Sequence, residues 1–235
     1  MRYGVPFKGS KNQIAEWVYS HFPKATNFYD LFAGGCAITQ IVLMKSEYKN
    51  YFCNDIDGDG ISLFMNAIYG KYQNESRWIS REDFFRLKDS EPYVRYCWSF
   101  GNIGDNYLYA KEFEPWKKAL HYAVCFHDYQ PMIDLGGPDL SAIDACPTLW
   151  QRRIRACQIL GGEHDWWKNG GVHLENLERL ERLQNLERLE RLQNLDRLEV
   201  RQGNYFDIEI DPDSVIYLDP PYANTNGYGT KHKSD

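Results

Sequence analysis

The tetrapeptide Asp219-Pro220-Pro221-Tyr222 closes an apolar run, Ser214 to Leu218, and holds the most distinctive chemistry of the chain. Two successive prolines fix φ and remove two N–H donors, so the corner presents a carboxylate and carbonyl oxygens in a rigid frame. Acceptors without donors suit a planar NH2 group, and the ring of Tyr222 offers a flat face on which a base can stack. The plainer alternative is a proline-stiffened corner of structural use only.

A second cluster lies near the start. The run Phe28-Tyr29-Asp30-Leu31-Phe32-Ala33-Gly34-Gly35 reads as an apolar strand entering a glycine turn, with a helix expected from Ala37. Such a turn lets polar ligand groups approach backbone N–H groups at a helix N-terminus. About twenty residues on, a further strand ends in Asp55, where a carboxylate can accept from both hydroxyls of a ribose. The turn lacks the GxGxxG spacing of a dinucleotide fingerprint, which disfavours a nicotinamide enzyme. A loop-capping aspartate and a generic tight turn are the alternatives.

These residues need strands and helices to hold them. Residues 1–70 alternate short apolar strands with amphipathic helices, the pattern of an α/β fold. Ser10 is expected to cap a helix through Ile14, Trp17 and Val18. Asn27 to Phe32 and Tyr51 to Cys53 read as strands, and Ile61 to Tyr69 as a helix. Residues 71–170 hold most of the tryptophans without strand-helix alternation, and are expected to form a helical insertion between the second and third strands. Within it Arg152, Arg153 and Arg155 cluster beside Trp150, as a phosphate contact or a solvated basic face. Leu198 to Gln202 and Ser214 to Leu218 read as the last two strands of a segment, 198–235, that carries the tetrapeptide.

From Leu174 to Leu198 a leucine recurs at every third position, within a nine-residue repeat LERLERLQN. A helix turns about 100° per residue, so this stripe winds round the axis by about 60° per leucine. Pairs such as Glu175 with Arg179 add about 0.2–0.5 kcal/mol each. Residues 171–200 are therefore expected to be a charged surface connector helix. A solenoid is a poor fit to so short a period.

Composition sets outer limits. The chain has 235 residues, 43% hydrophobic and 15% aromatic, with 27 Lys and Arg against 33 Asp and Glu for a net charge of −6. That is enough apolar material for a sizeable core and excludes disorder as the main state. No apolar run reaches 18 residues, and the N-terminus MRYGVPFKGSKNQ has no apolar stretch of the signal-peptide kind, so a cytoplasmic location away from membranes is expected. The cysteines Cys36, Cys53, Cys97, Cys125, Cys146 and Cys157 form no CxxC pair and read as reduced packing thiols. His121, Cys125 and His127 supply three potential metal ligands on a helical pattern, where a structural role is favoured over zinc; no metal is expected.

Pro6-Phe7-Lys8-Gly9-Ser10-Lys11, the DLFAGG of residues 30–35, Asn54-Asp55 and the DPPY of residues 219–222, in that order, resemble the Dam-like DNA adenine methyltransferases. The resemblance implies a Rossmann-like S-adenosylmethionine-dependent methyltransferase sheet with a helical target-recognition insertion, acting on double-stranded DNA. Phe7 matches the aromatic position, and Lys11 the lysine, that hold the cofactor. Gly34 and Gly35 match the turn beside its methionine moiety, Asp55 the ribose-binding acid, and Asp30 is a further cofactor-binding candidate. Asp219 matches a residue between cofactor and target amine, with Pro220, Pro221 and Tyr222 completing the catalytic loop. Trp98-Ser99-Phe100-Gly101-Asn102 is similar to a motif of phage-type members, to which no chemistry is assigned.

The implied activity is methyl transfer from S-adenosylmethionine to the exocyclic amine of adenine, in the context of restriction-modification or phage DNA methylation. Methylation of cytosine's amine, RNA or a protein amide, or an inactive remnant that binds cofactor or DNA, are the alternatives. Family members continue beyond DPPY with three further strands, whereas 13 residues follow Tyr222 here. The sheet is accordingly expected to be incomplete at the C-terminal side, with weak activity and self-association through an unpaired strand edge.

Overall fold

A computed structural model describes residues 3–163, 186, 189, 192 and 194–221. The chain divides into two compact units, one of residues 1–72, 101–103 and 185–235, the other of residues 73–100 and 104–184. No helix among the described residues is long and apolar enough to cross a membrane.

The first unit runs α1 (Ala15–Tyr19), β1 (Asn27–Asp30), α2 (Ala37–Lys45), β2 (Asn50–Asp55) and α3 (Gly58–Ile68), and later adds β3 (Leu198–Gln202) and β4 (Ser214–Tyr217). The four strands form one parallel sheet in the order β3-β2-β1-β4. This is an α/β fold of Rossmann-like type. Every residue of β1 is buried, as a central parallel strand covered on both faces requires. On one face Phe28, Tyr51 and Val215 meet Ile38, Ile41 and Val42 of α2 in the main core of the unit. Each fully buried side chain of this size stabilises the fold by about 1.5–3 kcal/mol. Alternation sends Tyr29 and Phe52 to the other face, where their rings stack at 4.2 Å. The Tyr29 hydroxyl donates to Asp211 Oδ2 at 2.9 Å and ties the approach to β4 onto β1.

Ser10 does not cap a helix. Ser10 N donates to Phe7 O at 3.3 Å, Ile14 N donates to Lys11 O, and α1 starts only at Ala15 without a side-chain cap. Gly4, Val5 and Phe7 are held instead against the glycine turn, and Trp17 stays 64% exposed. α3 does have a side-chain cap: Asp57 accepts from Asp59 N at 3.2 Å.

The second unit comprises α4 (Arg81–Leu87), α5 (Pro92–Cys97), α6 (Glu114–Phe126), α7 (Gln130–Asp134) and α8 (Leu149–Glu163). Leu120, Val124, Met132, Leu140, Ile143 and Leu160 form its core. Most of the leucine repeat lies outside the described residues, but Leu186 and Leu189 are buried. Leu195 and Leu198 pack against the core of the first unit. The expected solvent-facing helix does not hold at these positions: Leu195–Arg197 form a 3-10 turn and Leu198 opens β3, and with about three residues per turn a 3-10 turn keeps a period of three on one face.

Candidate active site

β1 has β2 on one side and β4 on the other, so the strand order reverses beside β1, where open α/β sheets form a crevice at the carboxyl ends of their strands. Three of those ends carry an aspartate. Asp30 closes β1, Asp55 closes β2, and Asp219 stands just beyond β4.

The turn after β1 is built around absent side chains. Gly34 has φ +50°, and a Cβ on Gly35 would lie 2.6 Å from Phe7 Cβ and 2.8 Å from Val5 O. A Cβ on Gly60 of α3 would lie 2.2 Å from Gly34 O, so this third glycine lets the helix meet the turn backbone to backbone. Phe7 lies over Gly34 and Gly35, and Val5 N donates to Gly35 O at 2.8 Å, which brings the N-terminal loop and the turn together. Gly60 escaped the sequence reading, although a glycine inside a helical pattern commonly marks a close approach.

Asp55 caps this turn from the next strand. Its Oδ2 accepts from Gly34 N at 2.7 Å and its Oδ1 from Asp57 N at 2.9 Å. Burial pushes its carboxyl up, against the lowering effect of those backbone donors. Asn54 holds the neighbouring loops, donating to Leu31 O at 3.2 Å and to Gly203 O at 3.1 Å. Phe32 and Tyr205, at the ends of β1 and β3, bring their rings to 4.8 Å. Beside them Phe206 is 77% exposed. Tyr205 and Phe206 were legible only as part of a loop.

Asp30 is buried, and Thr39 Oγ1 donates to its Oδ2 at 2.7 Å. Among the described residues its other oxygen is buried without a hydrogen-bond partner. Its pKa is pushed up to about 7, first by burial and then by the charges of Asp55 and Asp219, with Thr39 opposing. Behind it the thiols of Cys36 and Cys53 stand 3.7 Å apart. Burial raises that of Cys36 well above its ordinary value.

Asp219 is paired with Lys11, both side chains about one-fifth exposed. Lys11 Nζ also donates to Gly9 O at 3.1 Å. Pro220 is exposed and Pro221 half-buried, while Tyr222 lies outside the described residues. The first unit therefore brings Phe7, Lys11, Asp30, Gly34, Gly35, Asp55 and Asp219 to one edge of its sheet.

The basic cluster belongs to α8 of the second unit, and its members diverge. Arg153 is only 8% exposed and lies over the Trp150 ring at 4.9 Å. Arg152 donates to His127 Nε2 at 2.5 Å, and Arg155 to Gln158 Oε1 at 3.3 Å. Of the three potential metal ligands, His121 bonds Ser76 O at 2.8 Å through Nε2 and contacts Cys125 through Nδ1, while His127 pairs with Asp144.

A family model described as D12 class N6 adenine-specific DNA methyltransferase matches residues 7–130. The matched span contains Phe7, Lys11, the glycine turn and Asp55, and ends before β3 and β4. No curated protein matches the chain.

Proposed function

The chain belongs to the D12 class N6 adenine-specific DNA methyltransferase family, and from that premise we propose that its methyl donor is S-adenosylmethionine, bound at the glycine turn, and that Asp219 meets the adenine amine. The observation that carries this reading is the convergence of Asp30, Asp55 and Asp219 at the carboxyl ends of adjacent strands, around a turn without side chains.

The donor set fits a ligand with a sulfonium and an ammonium. Asp30 has a buried oxygen lacking a partner among the described residues, and burial, with the neighbouring carboxylates after it, raises its pKa, so a nearby cation would favour its ionised form. When bound, S-adenosylmethionine supplies a methyl group already activated by the sulfonium. Asp55 holds ribose hydroxyls with the lone pairs left over from its two backbone bonds. Phe7 gives the pocket an apolar wall, and Gly34 and Gly35 admit the ligand to the backbone.

On the acceptor side, the target adenine leaves the duplex at a cost of a few kcal/mol and stacks on Tyr222. Its amine hydrogens are accepted by Asp219 and the Pro220 carbonyl, which leaves the nitrogen lone pair facing the donor. The amine gains a methyl and loses a proton, which reaches water by way of the partly exposed Asp219. Alignment at near-attack distance supplies much of the rate gain. The helical unit carries target recognition, with Arg152 and Arg155 as phosphate contacts.

Incubation with methyl-labelled S-adenosylmethionine and double-stranded DNA of mixed sequence, followed by digestion to nucleosides, tests the reading. Label in N6-methyladenine is the expected result. Label on cytosine, or none on DNA, overturns it.

A further inference from the structure

In the computed structure the Lys11 ammonium meets the carboxylate at the corner after β4, where the family resemblance alone assigns Lys11 to the methyl donor. We propose that Lys11 is a positioning residue for Asp219: its ammonium, held on Oδ2, fixes the orientation in which the carboxylate meets the adenine amine. The inference rests on the acceptor role given to Asp219 above.

Asp219 stands beyond its strand, and Pro220 and Pro221 have no N–H with which to orient it. Lys11, from the N-terminal loop of the unit, supplies a donor to Oδ2. The lysine is itself fixed. Its Nζ donates to Gly9 O at 3.1 Å. The loop before it is fastened by Val5 N on Gly35 O at 2.8 Å and by Phe7 against Gly34 and Gly35. A shift in the donor-side turn would thus be passed through Lys11 to the acceptor carboxylate. Each side chain of the pair is about one-fifth exposed, so solvent and salt screen it less than a surface pair. Asp30, from β1, and Asp55, from β2, share this end of the sheet. Lys11 brings a cation to this end of the sheet, beside Asp219.

Lys11→Met keeps the aliphatic stem and removes the charge, whereas Lys11→Arg keeps a cation. With donor and DNA saturating, Lys11→Met should lower kcat by about 10²-fold, the scale of a small misplacement of a reacting group. Calorimetry with S-adenosylmethionine should give a Kd within about threefold of the parent, and Lys11→Arg should recover most of the rate, the pattern expected when the lost interaction acts on turnover rather than on binding. A Kd that rises by about tenfold or more while kcat at saturation is kept would overturn the proposal in favour of a donor ligand. The side-chain 15N ammonium signal of Lys11 tests the pair without turnover. It should be visible in the parent and lost or shifted in Asp219→Asn; a signal unchanged by that substitution overturns the proposal. A parent protein that transfers no methyl to adenine overturns the reading of the previous section, while the ammonium signal still decides whether Lys11 holds Asp219.

Discussion

The ends of β1 and β4 lie side by side in one parallel sheet, yet they hold their aspartates in opposite ways. Asp30 is sealed beneath the glycine turn, bonded by Thr39, with a pKa near 7. Asp219 is one-fifth exposed, past the end of its strand, and paired with a lysine from the N-terminal loop. The first arrangement sets the charge of a closed wall, and the second keeps a carboxylate within reach of something that arrives from outside. In the proposed function, the assignment of one end to binding and the other to transfer rests on the packing around the two carboxylates, since the side chains are chemically identical.

Removing the acceptor carboxylate is the harshest way to break this contrast. Asp219→Ala should lower methyl transfer by roughly 10²–10³-fold, as for loss of an oriented group at a reacting centre. Because Asp219 lies outside the regular strand, its thermal midpoint should fall by less than about 4 °C, under about 1 kcal/mol. Retained transfer would remove Asp219 from the chemistry.

Asp30→Asn should act on stability in a pH-dependent way. The native pKa of about 7 lies above the unfolded value of about 3.9, so between those values the folded chain binds a proton that the unfolded chain does not. The parent should therefore lose stability, relative to the asparagine variant, as pH rises from about 4 to about 7, with no further change above. At pH 8 the variant should be more stable by a few kcal/mol, on the order of the shift itself. Urea unfolding of both proteins at several pH values measures this, and parallel curves would show that Asp30 is not held neutral.

Asp55→Ala sharpens the division between binding and turnover. It should weaken donor binding by about 1.5–3 kcal/mol, the usual scale for hydrogen bonds to a charged group, with a smaller effect on kcat at saturation. An unchanged donor affinity by calorimetry removes Asp55 from the ribose role. Gly35→Ala comes last. Its new Cβ must displace Phe7 or Val5, costing about 1–3 kcal/mol of stability as overpacking does, while Pro220→Ala at the open corner should cost under about 1 kcal/mol. Equal losses in thermal unfolding would mean that the two ends are packed alike.

Much of the sheet could be read from local pattern. β3 has the bounds expected of it, Leu198 to Gln202, and β4 departs from Ser214 to Leu218 by one residue. β1 is buried throughout and leaves an apolar run visible without knowledge of partners, whereas β3, half-buried or exposed along its length, was legible from its place between the repeat and the Gly203 loop. The pairing of Lys11 with Asp219 is not visible in this way, since nothing near either residue specifies the other. Ser10 misled because serine before an apolar periodicity looks like a cap even where tertiary contacts fix the preceding loop. The three arginines could not be told apart in the sequence for a different reason. At about 100° per residue Arg152 and Arg155 fall near one face of α8, whereas Arg153 turns away from both and is buried under Trp150. Gly60 was overlooked because the approach it permits is to a turn in another part of the sequence.

The place of β4 in the sheet also has a temporal meaning. Asn27 and Asn50 meet across 23 residues, whereas Thr26 and Asp213, at the same end of the sheet, meet across 187. An eightfold longer loop adds about 2 kcal/mol to the entropy of closure, and pairings so distant in sequence form slowly. During refolding, β1, β2 and the glycine turn should assemble before β4 docks and delivers Asp219 to Lys11. Donor binding recovering no earlier than methyl transfer in a refolding time course would contradict that order. Until the last strand arrives, a maturing molecule would be able to hold a methyl donor with no acceptor carboxylate in place to spend it.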